Sequence, residues 1–209
     1  MHIADGFLPP NICIAGYAIT GGMTWYSLRQ INKQNNPREH MTKASLLAAA
    51  FFVISSIHIP LPPSSIHLVL NGLMGVLLGY YAFFAILIGL FLQAVMWNHG
   101  GLTTLGVNGA LLGIPALLAY YIFQLSYRLR QPIWKQVFAF LAGAGGFGIT
   151  AITFTLLIIT TIPADIDAQM EKTAIYASMV GYSIQMGIEG TFTTMLVSFL
   201  QRVKPELVP

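Results

Sequence analysis

The 209 residues are 56% hydrophobic and only 8% charged, with a formal charge of +3. A soluble domain carries about 25% charged residues, so this composition excludes a surface wholly in water and makes lipid the natural solvent. Cys13 is the single cysteine, which excludes a disulfide framework or a cysteine metal cluster and leaves it as a small buried apolar residue.

About seven apolar segments are long enough, or nearly so, to cross a bilayer as helices. The start is acidic and proline-bearing (Asp5, Pro9, Pro10) and lacks the basic region that opens a cleavable signal peptide. Met1 is therefore expected to be retained. Pro9-Pro10 predicts a helix start for a first span that ends near Arg29. A basic loop from Arg29 to Lys43 precedes a second span, Ala44 to Ile59. Pro60, Pro62 and Pro63 exclude helix interior there. The third span is predicted from Ile66-His67 to Tyr80, and the fourth from Ala82 to Trp97, where Asn98-His99-Gly100-Gly101 breaks it. The fifth runs from Leu105 to Tyr127 with Pro115 as a kink, the sixth from Val137 to Ile162, and the seventh from Thr173 to Leu200.

With seven spans, the charge pattern sets the orientation. Arg29, Lys33, Arg38, Lys43, Arg128, Arg130, Lys135, Arg202 and Lys204 all fall on one side, and of the ten Lys and Arg only Lys172 does not. Positively charged loops stay in the cytoplasm. The expectation is an all-α, polytopic membrane helix bundle over residues 1–209, a single integral-membrane metal-binding domain with its N-terminus outside and its C-terminus inside.

That orientation collects Met1, His2, His58, His67 and His99 on the outer face, and leaves only His40 inside. A chain starting Met-His can chelate one ion through the Met1 α-amine, the His2 peptide nitrogen and the His2 Nδ1. These donors lie in a plane, which suits Ni(II) or Cu(II) better than tetrahedral Zn(II). A fourth corner remains for another imidazole. His67 follows a proline-stiffened loop, whereas His99 sits beside glycines in a backbone expected to be less fixed, so the residues favour His67 with His99 as the alternative.

Four stretches together resemble one family. They are the start MHIADGF, the SSIHLVLNGL segment holding His67, the run GLFLQAVMWNHGGLTTLGVN and the end EGTFTTMLVSFLQRVKPEL. The chain is similar to the CbiM/NikM family, the substrate-capture (S) components of energy-coupling-factor transporters for nickel and cobalt. The resemblance implies a seven-helix protein of the prokaryotic plasma (inner) membrane whose amino terminus folds back into the bundle. It implies an ion held by Met1, His2 and His67. The metal is then the transported substrate, with cobalamin biosynthesis a destination for cobalt, and no organic cofactor is expected. The implied partners are a membrane coupling (T) subunit and two cytoplasmic ATPase subunits, and the resemblance allows a small accessory membrane subunit. No nucleic acid is expected. The chain has no G-x-x-x-x-G-K-[ST] sequence to cradle nucleotide phosphates. Ala44-x-x-x-Ala48 offers small residues for packing against the coupling subunit, and Gly143, Gly145, Gly146 and Gly148 could serve close packing within or between chains.

A ligand imidazole usually has its other nitrogen held by a hydrogen bond. Asp5, Asn71, Gln93 and Asn108 are the candidates, as orienting groups or alternative ligands. Asp5 could also tie down the amino-terminal loop. Glu189 is the one carboxylate deep inside a predicted span, where ionisable groups are usually functional. The acidic loop with Asp165 and Asp167 is expected to be solvated. An intramembrane metalloenzyme is disfavoured because the chain has no H-E-x-x-H, while a self-sufficient permease or channel with the same ligands stays open. Planar nitrogen donors favour nickel, with cobalt a close second.

Overall fold

The computed structural model describes residues 2–34, 36–57, 59–61, 64–129, 131–161 and 168–208. Met1, His58, Arg130 and the loop holding Asp165 and Asp167 lie outside the described residues.

Among the described residues, seven α-helices form the bundle: α1 (Pro10–Ile31), α2 (Met41–Ile54), α3 (Asn71–Leu78), α4 (Tyr81–Trp97), α5 (Leu105–Gln124), α6 (Ile133–Thr160) and α7 (Ala168–Val203). Pro9 and Pro10 start α1, with Pro10 in the first turn, where a missing N–H costs nothing. Pro115 lies inside α5 as expected. One small departure from an all-helical chain lies between α2 and α3. There β1 (Ile59–Leu61) and β2 (Ser64–Ile66) pair antiparallel, with Ile59 opposite Ile66. The second span therefore ends before Ile59, because Pro60 and its neighbours take extended backbone in β1.

The third helix differs most from expectation. It begins at Asn71 rather than near His67, because Leu70 adopts a left-handed conformation with φ 54°. A helix of L-residues cannot run through such a residue. Eight residues give α3 a length of about 12 Å, well short of a hydrocarbon core of about 30 Å. All eight residues are buried, so α3 is a plug inside the bundle. Its close neighbours require glycine. A Cβ on Gly72 would meet the backbone of Gly143, and one on Gly146 would lie 2.7 Å from the Cα of Gly72. Gly143 also faces Thr193 and the Glu189 carbonyl of α7, and Gly148 faces Met186. These sixth-span glycines thus serve packing inside this chain. At its far end α3 is held by Lys43, whose Nζ donates to the carbonyls of Leu77 (2.6 Å) and Leu207 (2.5 Å).

The core is built on Phe51, Phe83, Ile86, Leu112 and Phe147, each at most 1% exposed. Outward, the helices present large apolar side chains: Ile14, Leu46, Val180 and Met195 are 67–72% exposed. Such a surface is the reverse of a water-soluble one and matches lipid. α5, with the 3-10 turn Leu125–Arg128 that continues it, and α6 are each long and apolar enough to cross a bilayer, while α2 and α4 are shorter apolar helices. Ala48 is buried in this chain's own core with Phe51, Ala85 and Ile86, and Ala44 is half-buried against the same cluster. The small-residue face of α2 is therefore turned toward α4, where it lines a groove of about 850 Å³ with Leu28, Phe84 and Ile88.

Candidate metal centre

The leading segment lies on the α4–α5 turn and is held there through the Ile3 backbone and the Asp5 side chain. Asn108, on the first turns of α5, is 2% exposed. Its Oδ1 accepts the Ile3 N–H at 2.9 Å, and its Nδ2 donates to the Ile3 carbonyl at 3.0 Å. One amide side chain thus pairs with both polar groups of one residue, as a neighbouring strand would. The Thr104 hydroxyl donates to the same carbonyl at 2.6 Å. Ile3 itself is buried, 2% exposed.

Asp5 makes the second attachment. Its carboxylate accepts the Thr103 hydroxyl at 2.6 Å, the Thr103 N–H at 2.9 Å and the Leu102 N–H at 3.2 Å. These donors precede α5, whose first N–H groups have no helical partner. The Thr103 hydroxyl, more than the backbone N–H groups, holds the Asp5 carboxyl below its ordinary value, against a smaller opposing effect of burial. Gly101 makes the approach possible, since a Cβ there would collide with the Asp5 backbone and carboxylate.

Two other segments bring their histidines to the same place. Asn98 ends α4 in the left-handed conformation, φ 50°, which asparagine tolerates. The N–H groups of Asn98 and His99 then both donate to the Gln93 carbonyl, the latter at 3.1 Å. The backbone at His99 is thus fixed, contrary to the expectation of a loose glycine-flanked turn. His67 lies in the irregular stretch between β2 and α3 and is 8% exposed. Gln185 of α7 donates its amide to the His67 carbonyl. Glu189, one turn further along, accepts the Val69 N–H at 2.5 Å and the Leu70 N–H at 3.1 Å on each oxygen.

His2, His67 and His99 therefore converge from three distant parts of the chain. The Nδ1 of His2 and the Nε2 of His99 are 2.9 Å apart. The His67 ring centroid lies 5.8 Å from that of His2 and 6.1 Å from that of His99. One ring nitrogen of each falls within 4.8 Å of the others. An ion about 2.1 Å from each nitrogen sets adjacent donors about 3 Å apart and opposed ones about 4 Å. The His2–His99 pair already has the spacing of adjacent donors, and a movement of the His67 ring by no more than about 2 Å lets all three share an ion. Imidazole nitrogens of this kind suit a borderline transition metal.

Two of the proposed orienting residues act elsewhere. Asn71 is fully buried, and its Nδ2 donates to the Thr150 hydroxyl (2.8 Å) and the carbonyls of Gly146 and Leu112. It joins α3 to α5 and α6. The Gln93 side chain donates to Ser55 (2.7 Å), Ser56 (2.9 Å) and the Phe52 carbonyl, joining α4 to the end of α2. Both amides lie where interhelical carbonyls and hydroxyls accept donors, so these bonds go to helices rather than to an imidazole. Gln93 serves the site through its main chain. Asn108 and Asp5 serve it by fixing backbone. Sequence reasoning missed Thr103, Thr104 and Gln185. The last carried a signal, being an amide one turn before Glu189 and so on the same face of the helix.

This arrangement has relatives. The family described as "Cobalt uptake substrate-specific transmembrane region", CbiM, matches residues 2–207. A Haemophilus influenzae protein named for metal transport is 35% identical over 162 residues, 76% of each chain. The cobalt transport protein CbiM of Chlorobium limicola is 31% identical, covering 100% of this chain and 84% of its own. A crystal structure of a transition metal transporter shares the fold with a TM-score of 0.75 at 23% identity, covering 97% of this chain and 93% of its own. The chain therefore belongs to the CbiM family, the substrate-specific transmembrane region of cobalt uptake, and is a membrane-embedded metal transport protein rather than an enzyme.

Proposed function

We propose that this protein captures a divalent transition-metal ion with high affinity as the S component of an energy-coupling-factor importer in a prokaryotic plasma membrane. Nickel is the favoured substrate and cobalt a close second, on the preference of a planar nitrogen set. The observation that carries the reading is the convergence of His2, His67 and His99 within 4.8 Å. The Met1 amine, the His2 amide nitrogen and the His2 Nδ1 supply three donors. His67 fills the fourth corner, and His99 is the alternative ligand. The chain crosses the bilayer as a multi-pass bundle with this site outside and the basic loops inside, as the distribution of Lys and Arg supports. A coupling subunit docks at the groove beside α2 that Ala44 and Ala48 line, and two cytoplasmic ATPase subunits supply the energy this chain has no phosphate-binding loop to harvest.

The test is Ni(II) calorimetry on the purified full chain. Binding at one equivalent is expected to vanish when the amino group is acetylated and to weaken strongly in His67→Ala, while His40→Ala binds as the parent does. Undiminished binding by the acetylated protein overturns the chelate. Uptake by cells making this chain with and without its partners separates an S component from a self-sufficient permease.

A further inference from the structure

The break between β2 and α3 exposes peptide groups that a continuous helix would satisfy. They are buried: Val69 is 1% and Leu70 3% exposed. Three of them are met from one face of α7. Gln185 and Glu189 are four residues apart, 4% and 0% exposed, and the Gln185 amide bonds both the His67 carbonyl and the Glu189 carboxylate. Both Glu189 oxygens act as acceptors, which a glutamine in its place cannot reproduce, having one acceptor and an NH2 group. The segment so gripped is the one that carries His67 and the left-handed Leu70, a backbone state that persists only where its surroundings hold it. Resting on the histidine reading above, we infer that Glu189 and Gln185 are positioning residues for His67. Through them α7 decides whether that imidazole stands at the ion. A shift of α7 against the bundle withdraws one donor and leaves the amino-terminal chelate alone, a route from tight to weak binding.

The experiment measures Ni(II) affinity and the d–d absorption band of the loaded full chain in four variants: His67→Ala, Glu189→Gln, Gln185→Leu and the His67→Ala/Glu189→Gln pair. Glu189→Gln is expected to lose about 10–100-fold in affinity, the range found when groups behind a ligand are removed. Its band is expected to move to the position seen in His67→Ala, and the paired variant to bind no more weakly than His67→Ala alone. A merely structural acid would not transfer the spectrum of the His67 variant. Gln185→Leu keeps the carboxylate and shifts both readouts in the same direction by less, and it decides the matter if Glu189→Gln does not fold. A parental band in Glu189→Gln and Gln185→Leu, or losses that add to that of His67→Ala, overturns this inference alone. Parental affinity and band in His67→Ala overturn the histidine reading and this inference with it.

Discussion

Replacing Asn108 by leucine, close in volume and without polar atoms, is expected to detach the leading segment from the bundle. The change removes the bonds to the Ile3 N–H at 2.9 Å and to the Ile3 carbonyl at 3.0 Å. The carbonyl keeps the Thr104 hydroxyl. The N–H, on a residue only 2% exposed, is left without its acceptor. An orphaned buried donor costs about 1–3 kcal/mol and the lost carbonyl bond about 1 kcal/mol. Together these weaken docking by about 2–4 kcal/mol, or about thirtyfold to several-hundredfold in the docking equilibrium constant. Only the docked segment brings His2 to His67 and His99, so apparent Ni(II) affinity should fall, by at most that factor and in step with the docked fraction. Calorimetry reads the affinity, and hydrogen exchange of the amides of residues 2–7 reads the docking. Parental affinity in Asn108→Leu together with fast-exchanging leading amides would refute the reasoning, because it would show binding that ignores docking.

Two other outcomes follow from the geometry. The Asp5 carboxyl is held below its ordinary value, chiefly by the Thr103 hydroxyl, so its contribution to docking is present above the ordinary carboxyl range and is lost as pH falls through the lowered value. Exchange protection of the leading amides should drop in that acidic window in the parent, and Asp5→Asn should lack the drop; a parental acid profile in Asp5→Asn would remove Asp5 from the account. Asn71→Ala removes the donor that joins α3 to the Leu112 carbonyl and the Thr150 hydroxyl, while the Gly146 carbonyl keeps the Thr150 hydroxyl, costing about 1–3 kcal/mol. It should lower the melting temperature while the folded fraction keeps its Ni(II) affinity, and a weakened site in fully folded protein would contradict the assignment of Asn71 to helix packing.

Helix ends that depend on local chemistry were legible in the chain. Pro9-Pro10 marks the start of α1, and Asn98 with its glycines marks the end of α4. The start of α3 was not, because an apolar run reads the same whether or not Leu70 turns left-handed, and what permits that turn is Glu189, 119 residues away. The histidine cluster was half legible. Charge asymmetry put four of the five histidines on one face, but the ranking of His67 over His99 assumed that glycine neighbours loosen a backbone that the Gln93 carbonyl holds. Buried amides were the hardest to assign. Asn71, Gln93 and Asn108 are alike in composition and context, and only tertiary neighbours decide that the first two join helices while the third grips Ile3.

The ammonium of Lys43 gives the short central helix a second anchorage, shared with the tail of the chain through the Leu77 and Leu207 carbonyls. Between that anchorage and the acid on α7 lie only eight helical residues, a rigid lever about 12 Å long. The tail is thus tied, through one ammonium and one short helix, to the segment that carries His67.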